Sequence, residues 1–490
     1  MSGTDSLDPR MPVLVGVGTA SDDLEAVELM ALATEAALAD AGGRGLAAAV
    51  DRVAVPQGSW AYADPARVVA HRTGASAATT HLVELGVPQQ SLINDALAAI
   101  LSGASEVAVV VGGDAKRWAR DRQRAGLEAT ETAQPGVVPD VVRRREGLLL
   151  EPVEVAHRLW DPVQQYAMID NALRAAEGRT IVEHRAEIAG LWARMNQVAV
   201  TNPDAAFPER MDAAQIATAT PTNRPLAFPY NKWHSTQWTV NQAAALVLCS
   251  VGAARRLGVP RERWVFPLVG LESSNAVSVL CREEIHAWPA MEVLGGTAAV
   301  RLGRPVDEVE VVELYSCFPA AVRVQQRSLG LSPDGTPTVT GGMAFAGGPF
   351  NNAVLQSMAA VVPLLRATPG HLGAVTTVSG LLTKPGLGVW SARPDGHPPL
   401  LSDLAYEVAS VTGVVDAVET LDGYEGPGSV ATYTVTYDGM DPTRVVAVCD
   451  TADHRRCVSI SEDPDLAARA CETELVGAAV RIGAGTFTPV

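Results

Sequence analysis

Short unbroken apolar runs alternate, in the first 115 residues, with longer stretches in which apolar residues return at helical spacing. Pro12 to Val17, closed by Gly18, is a run of the first kind and predicts a strand. LEAVELMALATEAALADAG is of the second kind. It predicts a helix ending at Gly42-Gly43, with Asp22 or Asp23 as N-cap. A strand at Val53 to Val55, a helical stretch in DPARVVAHRTG and the run TTHLVELG come next. PQQSLINDALAAILSG predicts a helix with Pro88 in its first turn and Gly103 at its stop. The apolar residues of EVAVVVGGDA do not alternate, which is the pattern of a strand buried on both faces. The order β-α-β-α-β-α-β implies a mainly parallel or mixed sheet covered by helices.

The pattern changes over residues 116–223. Arg117, Arg120, Arg122 and Arg124, then Arg143, Arg144 and Arg145, accompany helical stretches such as HRAEIAGLWARMNQVAV. This predicts an inserted, mostly helical cap, whose arginines form either a solvated face or a landing site for phosphates. Alternating elements resume with NQAAALVLCSVGAARRLG, a strand and helix, then the strand WVFPLVGLES and the helix AWPAMEVLGGTAAVRLG. The strand VDEVEVVELYS, a long helix opened by Pro349, and strands in LGAVTTVSG and LGVWSARP complete the set. Helix, glycine turn and valine-rich strand occur once in SLINDALAAILSGASEVAVVVGG and again in NNAVLQSMAAVVPLLRATPGHLGAVTTVSG, which points to a duplication. After about Pro398, beyond the linker-like RPDGHPPL, short alternating strands predict a small β-barrel of roughly five strands. The expected units are therefore 1–115 with 224–262, 116–223, 263–397 and 398–490.

Length alone suggests two to four domains for 490 residues. A net charge of −17 argues against general binding to nucleic acid or an anionic membrane, while leaving room for a local basic patch. The six cysteines form no CxxC pair, so a reduced, cytoplasmic protein is the simpler reading. MSGTDSLDPRMPVLVG lacks the charged-then-apolar pattern of a secretory leader, and no segment approaches roughly 18 uninterrupted apolar residues. No His, Cys and carboxylate set has metal-ligand spacing. Gly112-Gly113-Asp114 lacks the glycine pattern of a nucleotide loop.

Six segments together resemble the thiolase superfamily. They are PVLVGVG, NRPLAFPY at 223–230, NQAAALVL at 241–248, VELYSCFPAAV at 312–322, TGGMAFAGGPFNN at 340–352 and LLTKPGLGVWSARP at 381–394. They run in order along nearly the whole chain. The resemblance is closest to actinobacterial relatives of the sterol-carrier-protein-type thiolases, often labelled acetyl-CoA acetyltransferase, which carry an extra C-terminal OB-like domain. It implies a duplicated five-layered α/β thiolase fold with a helical cap insertion, plus that barrel. It also implies an acyl-CoA thioester as substrate or ligand, no bound cofactor or metal, and a monomer or homodimer.

Thiolase chemistry needs a cysteine thiolate at a helix N-terminus, a second cysteine for proton transfer, and a histidine with an asparagine or second histidine at the thioester oxygen. At the first place this sequence reads Gly86-Val87-Pro88, and Ser91 is the nearest hydroxyl, with no base beside it in sequence. The Gly-His-Pro motif is Gly347-Gly348-Pro349, and Val378 stands near the place of the second cysteine. Tyr315 opens the motif that would begin with the oxyanion asparagine, and Cys317 matches its small third residue, so a buried structural thiol is the favoured reading. Tyr315 is either a general acid or base, as in a related branch that cleaves 3-hydroxyacyl-CoA, or a hydrogen-bonding partner of the backbone. Asn351 and Asn352 hold an oxyanion or cap a helix. His234 faces the pocket or packs. The implied function is acyl-CoA binding without thiolase activity; the alternatives are an acyl-CoA retro-aldolase using Tyr315, and a non-enzymatic scaffold recruiting a partner through the barrel.

Overall fold

The computed structural model describes residues 7–145, 150, 152–274, 277–412 and 418–490; the first six residues of the stretch read above as lacking a leader lie outside them. In the first 115 residues strands β1 (Pro12–Ala20), β2 (Arg52–Pro56), β3 (Thr79–Val83) and β4 (Val107–Ala115) alternate with helices α1 (Ala26–Ala41), α2 (Pro65–Arg72) and α3 (Gln89–Ser102). Residues 116–223 contain α4 (Lys116–Arg124), β5 (Val141–Arg143), α5 (Pro152–Ala156), α6 (Pro162–Ala176), α7 (Ile181–Ala199) and α8 (Ala213–Ala217). Then follow β6 (Pro225–Ala227), β7 (Tyr230–Asn231), β8 (Asn241–Ser250), α9 (Val251–Arg256), β9 (Phe266–Glu272), α10 (Pro289–Leu302), β10 (Val311–Glu313) and α11 (Pro319–Ser328). The remainder is α12 (Ala353–Ala367), β11 (Leu372–Ser379), β12 (Lys384–Ser391), β13 (Leu400–Asp403), α13 (Ala405–Thr412), β14 (Gly426–Asp438), β15 (Asp441–Thr451), β16 (Arg456–Ser461), α14 (Pro464–Ala470), β17 (Ala479–Gly483) and β18 (Thr486–Pro489).

The first sheet has the order β1-β8-β4-β2-β3-β5, and the second β10-β11-β12-β9-β13. Both are mixed; in the first, β8 runs antiparallel to β1 and β4, while β4, β2, β3 and β5 are parallel to one another. Strand β1 shows why its apolar run does not alternate. Val13 and Val15 pack with Leu29, Met30 and Ala33 of α1, whereas Leu14 and Val17 pack with Ile93 of α3 and Val354 and Met358 of α12. Helices α3 and α12 thus lie between the sheets, while α1 covers the first sheet outside and α10 the second. The contact between α1 and β1 is backbone to backbone. A Cβ at Gly16 would lie 2.0 Å from the Ala37 carbonyl oxygen, and one at Gly18 2.4 Å from that of Ala33.

Four local expectations are corrected. Glu25, not Asp22 or Asp23, holds the N-cap position of α1, and it makes no cap bond. Its carboxylate instead accepts from the Tyr62 hydroxyl at 2.8 Å and the Thr132 amide at 2.7 Å. Pro88 is the N-cap of α3, with extended backbone, one residue before the first turn. The helix expected from Pro349 starts at Ala353, because residues 349–352 form a turn closed by the Asn352 amide on the Pro349 carbonyl at 2.7 Å. The strand expected across VDEVEVVELYS is only Val311–Glu313; Val306–Glu308 is a 3-10 turn, and the Tyr315 amide turns to the Thr376 hydroxyl at 2.8 Å.

Residues 116–223 are mostly helical, yet β5 pairs with β3 and widens the first sheet. Beyond Pro398 the chain first adds β13 to the second sheet and then builds five strands. β14 pairs with β15 and β17, β15 with β16, and β17 with β18. The remaining seam, β16 to β18, is the single pair Ile460 with Thr486, so the expected barrel is not continuously closed. β6 joins this sheet through Ala227 and Thr436. Helix α6 docks on it through the Asn171 carboxamide on the Tyr433 carbonyl at 2.8 Å and through Arg174, fully buried and paired with Glu474 at 2.8 Å.

Candidate functional site

The first turns of α3 and α12 meet between the two sheets. The Val354 amide, one of the donors that a helix N-terminus leaves open, is taken by the Gln89 side chain of α3 at 2.8 Å. Gln89 also donates to Asn351 at 3.3 Å, and Asn351 donates to the Gln57 carbonyl at 3.2 Å. Asn352 occupies the N-cap position of α12 but makes no cap bond. Its carboxamide is buried, and neither Oδ1 nor Nδ2 has a partner. It lies against β4 at Gly112, where a Cβ would come within 2.6 Å of its Oδ1.

Ser91 and Glu272 are brought together from 181 residues apart. The buried Ser91 hydroxyl donates to the Glu272 carboxylate, so the absence of a base beside it in sequence does not hold in space. Asn94 donates to Glu272 at 3.4 Å, and Arg143 stands 3.7 Å from it. Burial pushes the Glu272 carboxyl up to about 7, against the pull of Arg143.

Tyr315 lines a small cavity of about 30 Å³ with Ser316, Gln242, Gln356 and Gly347. Gln242 Oε1 and Gln356 Nε2 are buried without partners. Both residues line the cavity, whose volume is enough for one water molecule. Burial raises the Tyr315 phenol well above its ordinary value. The backbone of Tyr315 is held on both sides, its carbonyl accepting from Gln325 at 2.8 Å. Cys317 is buried next to Tyr166, and burial pushes its thiol up to about 12, so it is not a thiolate at neutral pH.

The Gly347-Gly348-Pro349 segment leaves no room for an imidazole. A Cβ on Gly348 would lie 2.2 Å from the Thr236 methyl, and one on Gly347 2.3 Å from Gln242 Oε1. His234 is away from the cavity. It is buried in a 3-10 turn, its Nδ1 accepting from the Asn231 amide at 3.1 Å, and burial lowers its pKa to about 3. The structure therefore groups Ser91, Asn351 and Asn352 at the helix junction and Tyr315 with Gly347 at the cavity, and leaves His234 outside both. Glu272, Gln242 and Gln356 carried no signal of their own in sequence, because the residues they stand beside in the site lie far along the chain. Of the cap arginines, Arg143 pairs with Asp95 at 2.8 Å and Arg144 with Glu84 at 3.0 Å. Among the described residues no helix is long and apolar enough to cross a membrane.

No family model and no curated protein matches this chain. Solved structures do. The chain is 28% identical to a monomeric SCP2-thiolase-like protein type 1 from Mycobacterium smegmatis, over 99% of both chains, with a TM-score of 0.84. It is 19% identical to the Ltp2-ChsH2(DUF35) aldolase, over 79% of this chain and 100% of that one, with a TM-score of 0.59. Similarity to the Acat5 thiolase from Ascaris suum in complex with coenzyme A is 14% identity over 78% of this chain and 99% of that one, with a TM-score of 0.57. The fold is thiolase-like, and the likeness to the Mycobacterium structure extends over the C-terminal sheet as well.

Proposed function

We propose that this chain binds an acyl-CoA thioester at the junction of α3 and α12, and that it performs no acyl transfer through cysteine. One observation carries the reading. The first turn of α3 presents Gln89, Gln90 and Ser91, each committed to a hydrogen bond, where cysteine-dependent transfer needs a thiolate. The unpaired Asn352 carboxamide at the same junction supplies a donor for a thioester carbonyl, in the positive field of two helix N-termini. Likeness to a thiolase in complex with coenzyme A supports the ligand class. We take the chain as a monomer, as the similar Mycobacterium protein is.

Calorimetry with CoA and acyl-CoA thioesters, beside mass spectrometry of products from 3-ketoacyl-CoA plus CoA, tests this. Binding is expected, weakened at least tenfold in Asn352→Ala, with no acetyl-CoA formed. The Asn352 carboxamide has no hydrogen bond to lose, and denaturant unfolding of the variant separates any packing loss from the loss of a ligand donor. Acetyl-CoA formed from ketoacyl-CoA and CoA would overturn the proposal.

A second reading, lyase cleavage of a 3-hydroxyacyl-CoA, is favoured by Tyr315 in its polar cavity. A phenol held above its ordinary value stays protonated, so it serves as a hydrogen-bond donor to a developing oxyanion rather than as the base. Cleavage without added CoA should fall about a hundredfold in Tyr315→Phe. Equal turnover in that variant ends this reading.

A further inference from the structure

Helix α4, KRWARDRQR, carries five cations and one carboxylate, within a chain of net charge −17. At about 100° per residue, Lys116, Arg120, Arg124 and Arg117 fall within one sector of about 100°, a stripe about 12 Å long. This placement disfavours the helix itself. Lys116 and Arg117 sit in the first turn, where the dipole opposes cations, and Lys116–Arg120 and Arg120–Arg124 are like-charged pairs at i,i+4. No residue of α4 is buried, so packing does not account for the charges either. The helix is held through its backbone, the Trp118 amide donating to the Asn241 side chain at 2.7 Å and the Arg117 amide to the Val240 carbonyl at 3.3 Å.

Neighbouring carboxylates leave the stripe positive. Asp121, at its flank, accepts from Arg120 at 2.8 Å and is the one carboxylate paired with a stripe residue among the described residues. Asp114 is buried and accepts from the Ser59 hydroxyl at 2.6 Å. Glu128 lies beside the opposite face, where Arg122 donates to its carbonyl at 3.0 Å and covers the Trp118 ring. The root of the stripe adjoins the site. Gly112, against Asn352, stands four residues before Lys116, about 13 Å away along the strand. The Lys116 ammonium covers the Trp238 ring, and Trp238 packs at 5.9 Å on Phe350, next to Asn351. Small ligands are held in concave sites, whereas α4 is a ridge with no buried residue and suits the surface of a second protein. Trp118 and Ala119, its only apolar residues, lie off the stripe and are too few to make an apolar face for a lipid bilayer.

We infer that the cationic stripe of α4 docks an acidic carrier protein, which delivers the acyl thioester to the α3–α12 junction on a phosphopantetheine arm. This rests on the thioester reading of that junction and names the bearer of the thioester. The test is calorimetry on the full chain with hexanoyl acyl carrier protein, hexanoyl-CoA and the carrier without its arm. The hexanoyl carrier is expected to bind at least tenfold tighter than hexanoyl-CoA, and less tightly as salt is added. Arg120→Glu with Arg124→Glu should abolish that preference and leave hexanoyl-CoA affinity unchanged. Arg120→Gln with Arg124→Gln, which removes charge without reversing it, should cut the preference several-fold and keeps the test valid if the first variant does not fold. An equal loss of hexanoyl-CoA binding in these variants assigns the stripe to nucleotide phosphates and overturns the inference. So does binding to phosphatidylserine–phosphatidylcholine vesicles, lost in the same variants, without binding of the carrier. Equal affinity for carrier and CoA overturns it while leaving the thioester reading intact. If Asn352→Ala weakens neither thioester, that reading fails instead. The arm-less carrier, bound by the parent and lost in Arg120→Glu with Arg124→Glu, then keeps the docking surface; no carrier binding overturns both.

Discussion

Glu272 shows what burial does to one carboxyl group. Unfolded, it titrates near the ordinary value of 4.5; folded, it titrates near 7. Between those values the folded chain holds a proton that the unfolded chain has released, so stability falls as pH rises from about 4.5 to 7. The loss amounts to about 3 kcal/mol. Glu272→Gln should flatten this decline and gain about 2 kcal/mol at pH 8 relative to the parent, read by denaturant unfolding across pH. An unchanged slope would mean that Arg143 compensates the charge in full. At this scale the sequence was clear about identities: Tyr315 and Gly348 stand where the resemblance to thiolases implies an asparagine and a histidine, and Cys317 where it implies a small residue. It was silent about partners. Ser91 has its carboxylate 181 positions away, and nothing local announces that.

Helix boundaries depend on the same distinction between what is local and what is not. The stop of α3 at Gly103 was legible, since a left-handed residue with φ 79° is what glycine does best. The start of α12 was not, because its open amide is satisfied by Gln89 on another helix while Asn352, the residue of capping type, leaves the helix uncapped. Gln89→Ala should therefore cost about 1 kcal/mol, as loss of a cap does, although Gln89 belongs to a different element. Chemical denaturation measures this, and a neutral result would assign the cap elsewhere. The strand at Val107–Ala115 was legible for the opposite reason: burial on both faces writes itself into every position.

For the whole molecule, the change of pattern after Pro398 correctly marked a distinct run of strands, but not how deeply that run is tied into the rest. β13 completes the edge of the second sheet, and Glu474 neutralises the fully buried Arg174 of α6. Ending the chain at Leu400 strands that charge, at a cost of about 3–5 kcal/mol before any packing is counted. The truncated protein should lose its near-ultraviolet circular dichroism and cooperative unfolding; a sharp transition would mean that the two sheets stand alone. Arg456 carries the same dependence to the segment before α10. It donates to the carbonyls of Arg282 and Glu283, and so fixes the segment that bears the Arg282 guanidinium. Those two arginines are 174 residues apart. At about 5–20 residues per second, a ribosome needs roughly ten to thirty seconds to travel between them. Throughout that interval the nascent chain already contains the Arg282 segment but not the guanidinium that steadies it.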